Sequence, residues 1–476
     1  MLRVKNLRLK YPNGDRKIFN NLNLEIKNKE KVLLLGPSGS GKSTLLNVLS
    51  GIVPNLIELP MKYDELNIDH DSGVIFQDPD NQFCMPKVYE ELAFVLENRN
   101  IPRSEMDQEI EDALKSVDLN VTHKTYVNNL SGGMKQKLAI VETILQKSKT
   151  LFLDEPTAML DVKATEDLWK KLINLWEDQT VLIVEHKVEH IWQHVDRVLL
   201  LNYDGEIVAD DTPEQILDHY EALLTEYGVW HPRAWHSAPR PIPLPNQTKN
   251  LLFHFDDGQI IRGKKTLFSS KELKLYSGEW LTITGKNGAG KTSLLEAMLQ
   301  LIKYEGDMFY RDQLLSKIKQ AAKHMYLVYQ NPELQFITNS VYDEVYIHYN
   351  HLDPKHANDE TMDLLKLLHL DQVKDHHPFE ISTGQKRRLS VATALSSKAE
   401  IILLDEPTFG LDSHNTFQLI KLFQERVNQG QTIIMVTHDP EIIKRYPTRR
   451  LRVEDGCLKE MEGEQDGKNA TPSLMM

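Results

Sequence analysis

Short apolar runs of strand length, each closed by glycine, proline or an acidic residue, alternate with amphipathic stretches along the chain and predict an α/β protein. Leu2-Arg3-Val4-Lys5-Asn6-Leu7-Arg8-Leu9 alternates as a half-buried strand does and runs into the turn Tyr11-Pro12-Asn13-Gly14. Residues 31–35, 73–77, 151–153 and 181–184 read as further strands, the apolar ones buried on both faces. Met106, Ile110, Ala113, Leu114 and Val117 fall on one helical face, with Ser104 and Asp107 spaced as a capping box. Residues 197–210 form a hairpin around Asp204-Gly205, and a helix starting at Thr212-Pro213-Glu214 closes the first half near Leu224.

A proline-rich segment, residues 225–249, follows with Pro232, Pro239, Pro241, Pro243 and Pro245. It reads as a linker able to extend about 75–80 Å, with Trp230, His231, Trp235 and His236 docking it on a neighbouring domain. The expected organisation is a first domain over 1–224, a second over 250–461 and a disordered tail over 462–476.

Both domains open on the same chemistry. Gly36-Pro37-Ser38-Gly39-Ser40-Gly41-Lys42-Ser43-Thr44 joins the strand at Leu35 to an apolar helical stretch, and Gly285-Lys286-Asn287-Gly288-Ala289-Gly290-Lys291-Thr292-Ser293 repeats it. Such a loop turns successive N–H groups inward and ends on a helix N-terminus, which makes a cradle for a triphosphate. Other stretches recur in register: Gln77 and Gln330, Ser131 and Ser382, Asp154-Glu155 and Asp405-Glu406, His186 and His438. Their offsets are 253, 251, 251 and 252 residues, against 249 from Lys42 to Lys291. Chance does not hold that spacing, so the chain is an internal duplication.

Composition narrows the function classes. The 476 residues are 41% apolar, enough for two or three cored domains. A net charge of −13, with no basic patch, argues against nucleic acid as a partner. Cys84 and Cys457 have neither disulfide nor zinc spacing, and no apolar run approaches the roughly 20 residues that span a bilayer. A cytosolic protein is expected, reaching any membrane through a partner.

Taken together, the motifs resemble those of ATP-binding cassette (ABC) nucleotide-binding domains: Walker A, Q-loop, signature, Walker B, D-loop at Asp161 and switch histidine, in order and twice. The resemblance implies two tandem P-loop domains, each with a RecA-like core, an antiparallel β-subdomain and an α-helical signature subdomain. It implies ATP hydrolysis with Mg²⁺. Lys42 and Lys291 would bind phosphate, and Ser43, Gln77 and Asp154, repeated as Thr292, Gln330 and Asp405, would hold the metal and its waters. Glu155 and Glu406 would orient the attacking water and accept its proton, while His186 and His438 would sense the γ-phosphate. Tyr11 stacks on adenine or packs as a strand-end residue, and Phe255 in the second half has the same two readings. The separation of only 35 residues between Lys42 and Gln77 implies a trimmed β-subdomain in the first half.

In this family a signature closes over the nucleotide of the facing domain. Head-to-tail pairing of the two halves within one chain would therefore complete the Lys42 cradle with Ser382, Thr383, Gly384 and Gln385, and the Lys291 cradle with Ser131, Gly132 and Gly133. Thr383 and Met134 each replace a usual residue, glycine and glutamine. If the first of these positions needs close backbone approach or positive φ, Thr383 makes the Lys42 site the slower one.

The stretches Gln77-Asp78-Pro79-Asp80-Asn81-Gln82-Phe83 and Gln330-Asn331-Pro332-Glu333-Leu334-Gln335-Phe336, with the acidic helices after them, resemble ATPases of energy-coupling factor (ECF) importers. That resemblance implies an integral-membrane coupling subunit and a small membrane substrate-binding subunit as partners, with the ATPase peripheral on the cytoplasmic face of the cell membrane. Glu90, Glu91, Asp343 and Glu344 would receive arginines of the coupling subunit. The architecture is similar to that of fused ATPases of thiamine-precursor importers. A sugar-type importer ATPase and a ribosome-associated tandem factor are the alternatives.

Overall fold

The computed structural model describes residues 1–12, 14, 16–157, 160, 162–243 and 250–461. Two compact units divide the chain, one of Met1–Ala238 with Asp412–His414, the other of Pro239–Leu411 and Asn415 onward.

The first unit is built from β1 (Leu2–Lys10), β2 (Lys17–Ile26), β3 (Lys31–Leu35), α1 (Lys42–Leu49), α2 (Ile52–Asn55), β4 (Met61–Lys62), β5 (Glu65–Asn67), β6 (Ser72–Ile75), α3 (Val88–Asn98), α4 (Arg103–Ser116), α5 (Gly132–Gln146), β7 (Thr150–Asp154), α6 (Val162–Leu175), β8 (Thr180–Val184), β9 (Arg197–Leu201), β10 (Ile207–Asp211) and α7 (Pro213–Glu226). Its main sheet has the order β10-β9-β3-β8-β7-β6, parallel except for the β9–β10 hairpin. Period-two alternation divides the central strands between two cores. Leu33, Leu35, Leu151, Leu153 and Ile183 face α3–α5, whereas Val32, Leu34, Phe152, Leu182 and Val184 face α1 and the β1–β2 layer. That second layer is antiparallel, with β2-β1-β4 in line and β5 also on β1.

The second unit repeats the plan with β11 (Leu251–Arg262), β12 (Lys265–Tyr276), β13 (Trp280–Gly285), α8 (Lys291–Met298), β14 (Tyr304–Tyr310), β15 (Gln313–Leu314), α9 (Ile318–Ala321), β16 (Met325–Val328), α10 (Val341–Leu352), α11 (Ala357–Leu367), α12 (Thr383–Ser396), β17 (Ile401–Asp405), α13 (Ser413–Asn428), β18 (Thr432–Val436), α14 (Pro440–Arg445), β19 (Arg449–Glu454) and β20 (Cys457–Glu460). Here one ten-stranded sheet runs β15-β14-β11-β12-β20-β19-β13-β18-β17-β16. The trimmed layer of the first half is visible in its strands: β4 and β5 have two and three residues where β14 has seven.

Three local expectations change. Pro102, not Ser104, is the N-cap of α4, since its extended backbone (ψ 139°) sets the helix start and no capping box forms. The predicted apolar face of α4 is nonetheless buried at Met106, Ile110, Ala113 and Leu114, and Val117 follows it into the core. Helix α7 runs to Glu226, past Leu224, and the chain beyond it stays on the first unit. There Trp230 is buried and packs on Trp235 at 5.6 Å, while Arg233 pairs with Asp218 and Glu221 of α7. Residues 244–249 and the expected tail 462–476 lie outside the described residues.

Candidate functional site

In each unit the parallel strands deliver their chemistry at one end, where β3 and β13 turn into α1 and α8. Gly41 (φ 94°) and Gly290 (φ 103°) turn the chain in the left-handed region against the β1–β2 and β11–β12 layers. A methyl group on Gly41 would come within 2.7 Å of Ile18, and one on Gly290 within 3.0 Å of Leu267. Lys42 Nζ donates to the carbonyls of Gly36 (2.8 Å) and Pro37 (3.0 Å), and Lys291 Nζ to those of Gly285 and Lys286 at the same distances. Both ammonium groups are thus folded back into their loops, and burial pushes the Lys42 ammonium below its usual value.

The metal-binding expectation fits the donor set. Ser43 Oγ donates to Asp154 Oδ1 at 3.0 Å, and Thr292 Oγ1 to Asp405 Oδ2 at 2.7 Å. Hydroxyl and carboxylate oxygens alone suit Mg²⁺. Burial raises the Asp154 carboxyl to about 6 and raises that of Asp405, so both carboxylates sit where a cation would offset the cost of charge. Mg²⁺, when bound, neutralises phosphate oxygens.

Glu155 and Glu406 follow the ends of β7 and β17 in left-handed conformation, φ 49° and 50°. Their amides are tied across the sheet to Val184 O (2.8 Å) and Val436 O (2.9 Å). A glutamate at positive φ is strained, and here the strain turns the side chain away from the strand path toward the cradle. His186 Nε2 lies 2.9 Å from Glu155 Oε1 and Gln77 Nε2 donates to Oε2 at 2.7 Å; His438 lies 3.6 Å from Glu406. Burial would raise the Glu155 carboxyl, but the bond from His186, with Lys42 and Gln77 nearby, brings it below the usual range. For His186 burial works against protonation and Glu155 outweighs it, so its value is raised. Glu185, which the sequence marks only as the end of the strand before His186, is part of the same site. It is buried, accepts from Thr157 and from His186 N, and burial lifts it to about 7. Asp161 lies outside the described residues.

Both signature serines cap helices. Ser131 Oγ accepts from Met134 N at 3.4 Å, and Ser382 Oγ from Gln385 N at 3.3 Å. Ser382 N in turn donates to Gln385 Oε1 (2.9 Å), completing a capping box for which Met134 has no side-chain acceptor oxygen. Thr383 is the first residue of α12 and is helical, as Gly132 is in α5. The position therefore demands no positive φ, and what still distinguishes Thr383 is its bulk, which bears on close approach to the backbone. The residues after the Q-loops are tied to these helices by Lys135–Asp80 and by Lys386–Glu333 (2.6 Å).

The acidic residues offered as arginine receptors divide. Glu91 and Glu344 are buried, and their carboxylates accept backbone N–H groups from Cys84 and Met85, and from Ile337 and Thr338. They anchor the segment after the Q-loop and are spent on that task, which corrects their assignment as receptors. Glu90 pairs with Lys87 at 2.6 Å, and Asp343 bonds Ser340 at the start of α10.

Beneath the same segment Gln82 Nε2 donates to Glu142 Oε2 at 2.6 Å, where the second unit has Gln335 on Thr393 Oγ1 (2.7 Å). Burial, with Glu91 nearby, raises Glu142 to about 8. The native state therefore holds a proton that the unfolded chain releases above about pH 4.5. That stabilisation is complete below the unfolded value and is lost as pH rises toward 8. Glu142→Gln is expected to remove a pH dependence of about 3 kcal/mol, read as the change in urea midpoint of the first unit between pH 6 and 8.5.

Tyr11 is 44% exposed, with its hydroxyl 2.8 Å from Thr44 Oγ1 at the start of α1, and so presents a ring beside the cradle. Phe255 does not. It is fully buried in β11, edge-on to Tyr304 at 5.6 Å, so it is a core residue and not an adenine contact. Among the described residues no helix is long and apolar enough to cross a membrane.

Comparison with known proteins agrees with this geometry. The profile of the ABC transporter family matches residues 19–158 and 268–409. The chain is 33% identical, over 96% of its length and 90% of the relative's, to YkoD of Bacillus subtilis (strain 168), named as an HMP/thiamine import ATP-binding protein. It is 31% identical, over 95% and 89%, to an ABC transporter ATP-binding protein of Streptococcus pneumoniae serotype 4. Among solved structures, the archaeal ribosome recycling factor aABCE1, in complex with the stalk protein aP1, shares the fold at TM-score 0.67 and 21% identity, over 94% of this chain and 87% of that one. Two phosphate cradles, each with its own carboxylate pair and histidine, thus have their explanation in ancestry as well as in chemistry: the chain belongs to the ABC transporter family, as a tandem ATP-binding protein whose cassettes hydrolyse ATP with Mg²⁺.

Proposed function

We propose that the protein is the motor of an importer of ECF type, peripheral on the cytoplasmic face of the membrane. Head-to-tail closure of its cassettes on ATP would drive uptake of a thiamine precursor, or another vitamin or metal ion, through separate coupling and substrate-binding subunits. The observation that carries this reading is the similarity, over nearly the whole chain, to a protein named for HMP/thiamine import. A surface feature supports it. Beside the second Q-loop, Leu334 (69% exposed), Ile337 (77%) and Phe379 (50%) present apolar side chains to solvent, an arrangement suited to a partner's apolar segment. At the matching places after the first Q-loop stand Asn81 and Cys84, so the two cassettes offer unlike surfaces to a membrane subunit.

Affinity purification from native membranes tests the proposal. A small all-helical membrane protein and a separate coupling protein are the expected companions, and recovery of ribosomes would overturn it. Leu334→Asp with Ile337→Asp should lower recovery of the membrane partners at least about tenfold while ATP binding by the purified chain is kept. Undiminished co-purification would remove this surface from the interface.

A further inference from the structure

We infer that the nucleotide base in the second cassette is held by the guanidinium of Arg262, kept in place by Glu296, at the position that corresponds to Tyr11 of the first cassette. The inference deepens the ATP-binding role of that cassette and names the residue that meets the base.

Strand register carries the equivalence. In the first cassette Leu9 pairs with Phe19 and Lys10 with Lys17, leaving Ile18 in a bulge; in the second Ile260 pairs with Phe268 and Ile261 with Thr266, leaving Leu267 in the same bulge. The glycines before the two P-loop helices fix the match independently, since Gly41 closes on Ile18 and Phe19, and Gly290 on Leu267 and Phe268. One step beyond Lys10 is Tyr11, and one step beyond Ile261 is Arg262. The intervening connection is residues 11–16 in the first hairpin and a tight turn around Gly263 and Lys264 in the second. Counting back from the P-loop therefore misses the correspondence that the ladder shows.

Both side chains reach from the strand end to the P-loop helix of their own cassette, Arg262 about one turn further along it. Tyr11 reaches across to the first turn of α1 through Thr44, and Arg262 Nη1 reaches across to α8, donating to Glu296 Oε2 at 2.6 Å. The Arg262 side chain is 60% exposed, at the strand position that corresponds to Tyr11 of the first cassette, while the Glu296 side chain is only 19% exposed and serves as a fixed post. A planar, delocalised cation presents a surface on which a purine stacks much as it does on an aromatic ring. The carboxylate holds it at one nitrogen, Nη1, and leaves most of the side chain open to solvent. Glu296 is thus a positioning residue, and Arg262 a base-contact residue.

The test uses the full chain with Lys42→Ala, which silences the first cradle, and titrates MgATP and inorganic tripolyphosphate against the second. Arg262→Ala should weaken ATP binding about fivefold to tenfold and leave tripolyphosphate binding unchanged. Arg262→Tyr should restore ATP binding to within about twofold of the parent, and Glu296→Gln should weaken it by a smaller factor than Arg262→Ala. Unaltered ATP binding in Arg262→Ala, or an equal loss of ATP and tripolyphosphate, would overturn the inference, as would a failure of Arg262→Tyr to restore binding.

Discussion

Replacing Glu155 and Glu406 together by glutamine is expected to lower steady-state ATP hydrolysis about 100-fold or more while ATP binding persists. Glutamine keeps the shape and, at Glu155, an oxygen for the bond from Gln77, but it cannot accept the proton of the attacking water, and that contribution is worth about 10²–10⁴ in rate. The single variants should differ. The histidine sits closer in the first site, 2.9 Å from Glu155 against 3.6 Å between His438 and Glu406. A carboxylate so engaged must be released before it can face water. Under the proposed pairing the Lys42 site also receives the bulkier Thr383. The Lys42 site is therefore expected to be the slower, and Glu406→Gln to cost more steady-state activity than Glu155→Gln. A greater loss in Glu155→Gln would reverse that order.

A second large effect is expected in stability. Glu344→Ala removes the acceptor of two backbone N–H groups, at Ile337 and Thr338, in a setting where the glutamate itself is only 2% exposed. Two stranded donors cost about 1–3 kcal/mol each, so the second cassette should lose about 3–5 kcal/mol, seen as a fall in its urea midpoint. Glu344→Gln keeps a carbonyl oxygen in reach and should lose about 1 kcal/mol. If the alanine variant unfolds at the parent's midpoint, the carboxylate does not hold the segment.

The sequence made the repeated architecture legible because its strongest signals are local: strands buried on both faces leave unbroken apolar runs, and the P-loop needs glycine where the backbone turns left-handed. What stayed hidden depends on distant contacts. Glu91 and Glu344 look like solvated first-turn acids until the loop before each helix folds back onto them. Phe255 looked like a counterpart of Tyr11 because both precede a glycine by three residues, but the bulge register puts it in the core and Arg262 at the surface. The left-handed backbone at Glu155 and Glu406 is imposed by the neighbouring strand through Val184 and Val436, and no residue type announces it. Ser104 failed as a cap because the extended Pro102 two residues earlier begins the helix first.

The ion pairs Lys135–Asp80 and Lys386–Glu333 join the loop after each glutamine to the helix that carries the capping serine. Their lysine ends are largely shielded from solvent, at 14% and 15% exposure, while the carboxylate ends are 55% and 44% exposed, so added salt screens them only in part. A tug delivered to that loop from outside would consequently be handed on to the serine-bearing helix as a displacement of the whole rod, in place of being absorbed by slack in between.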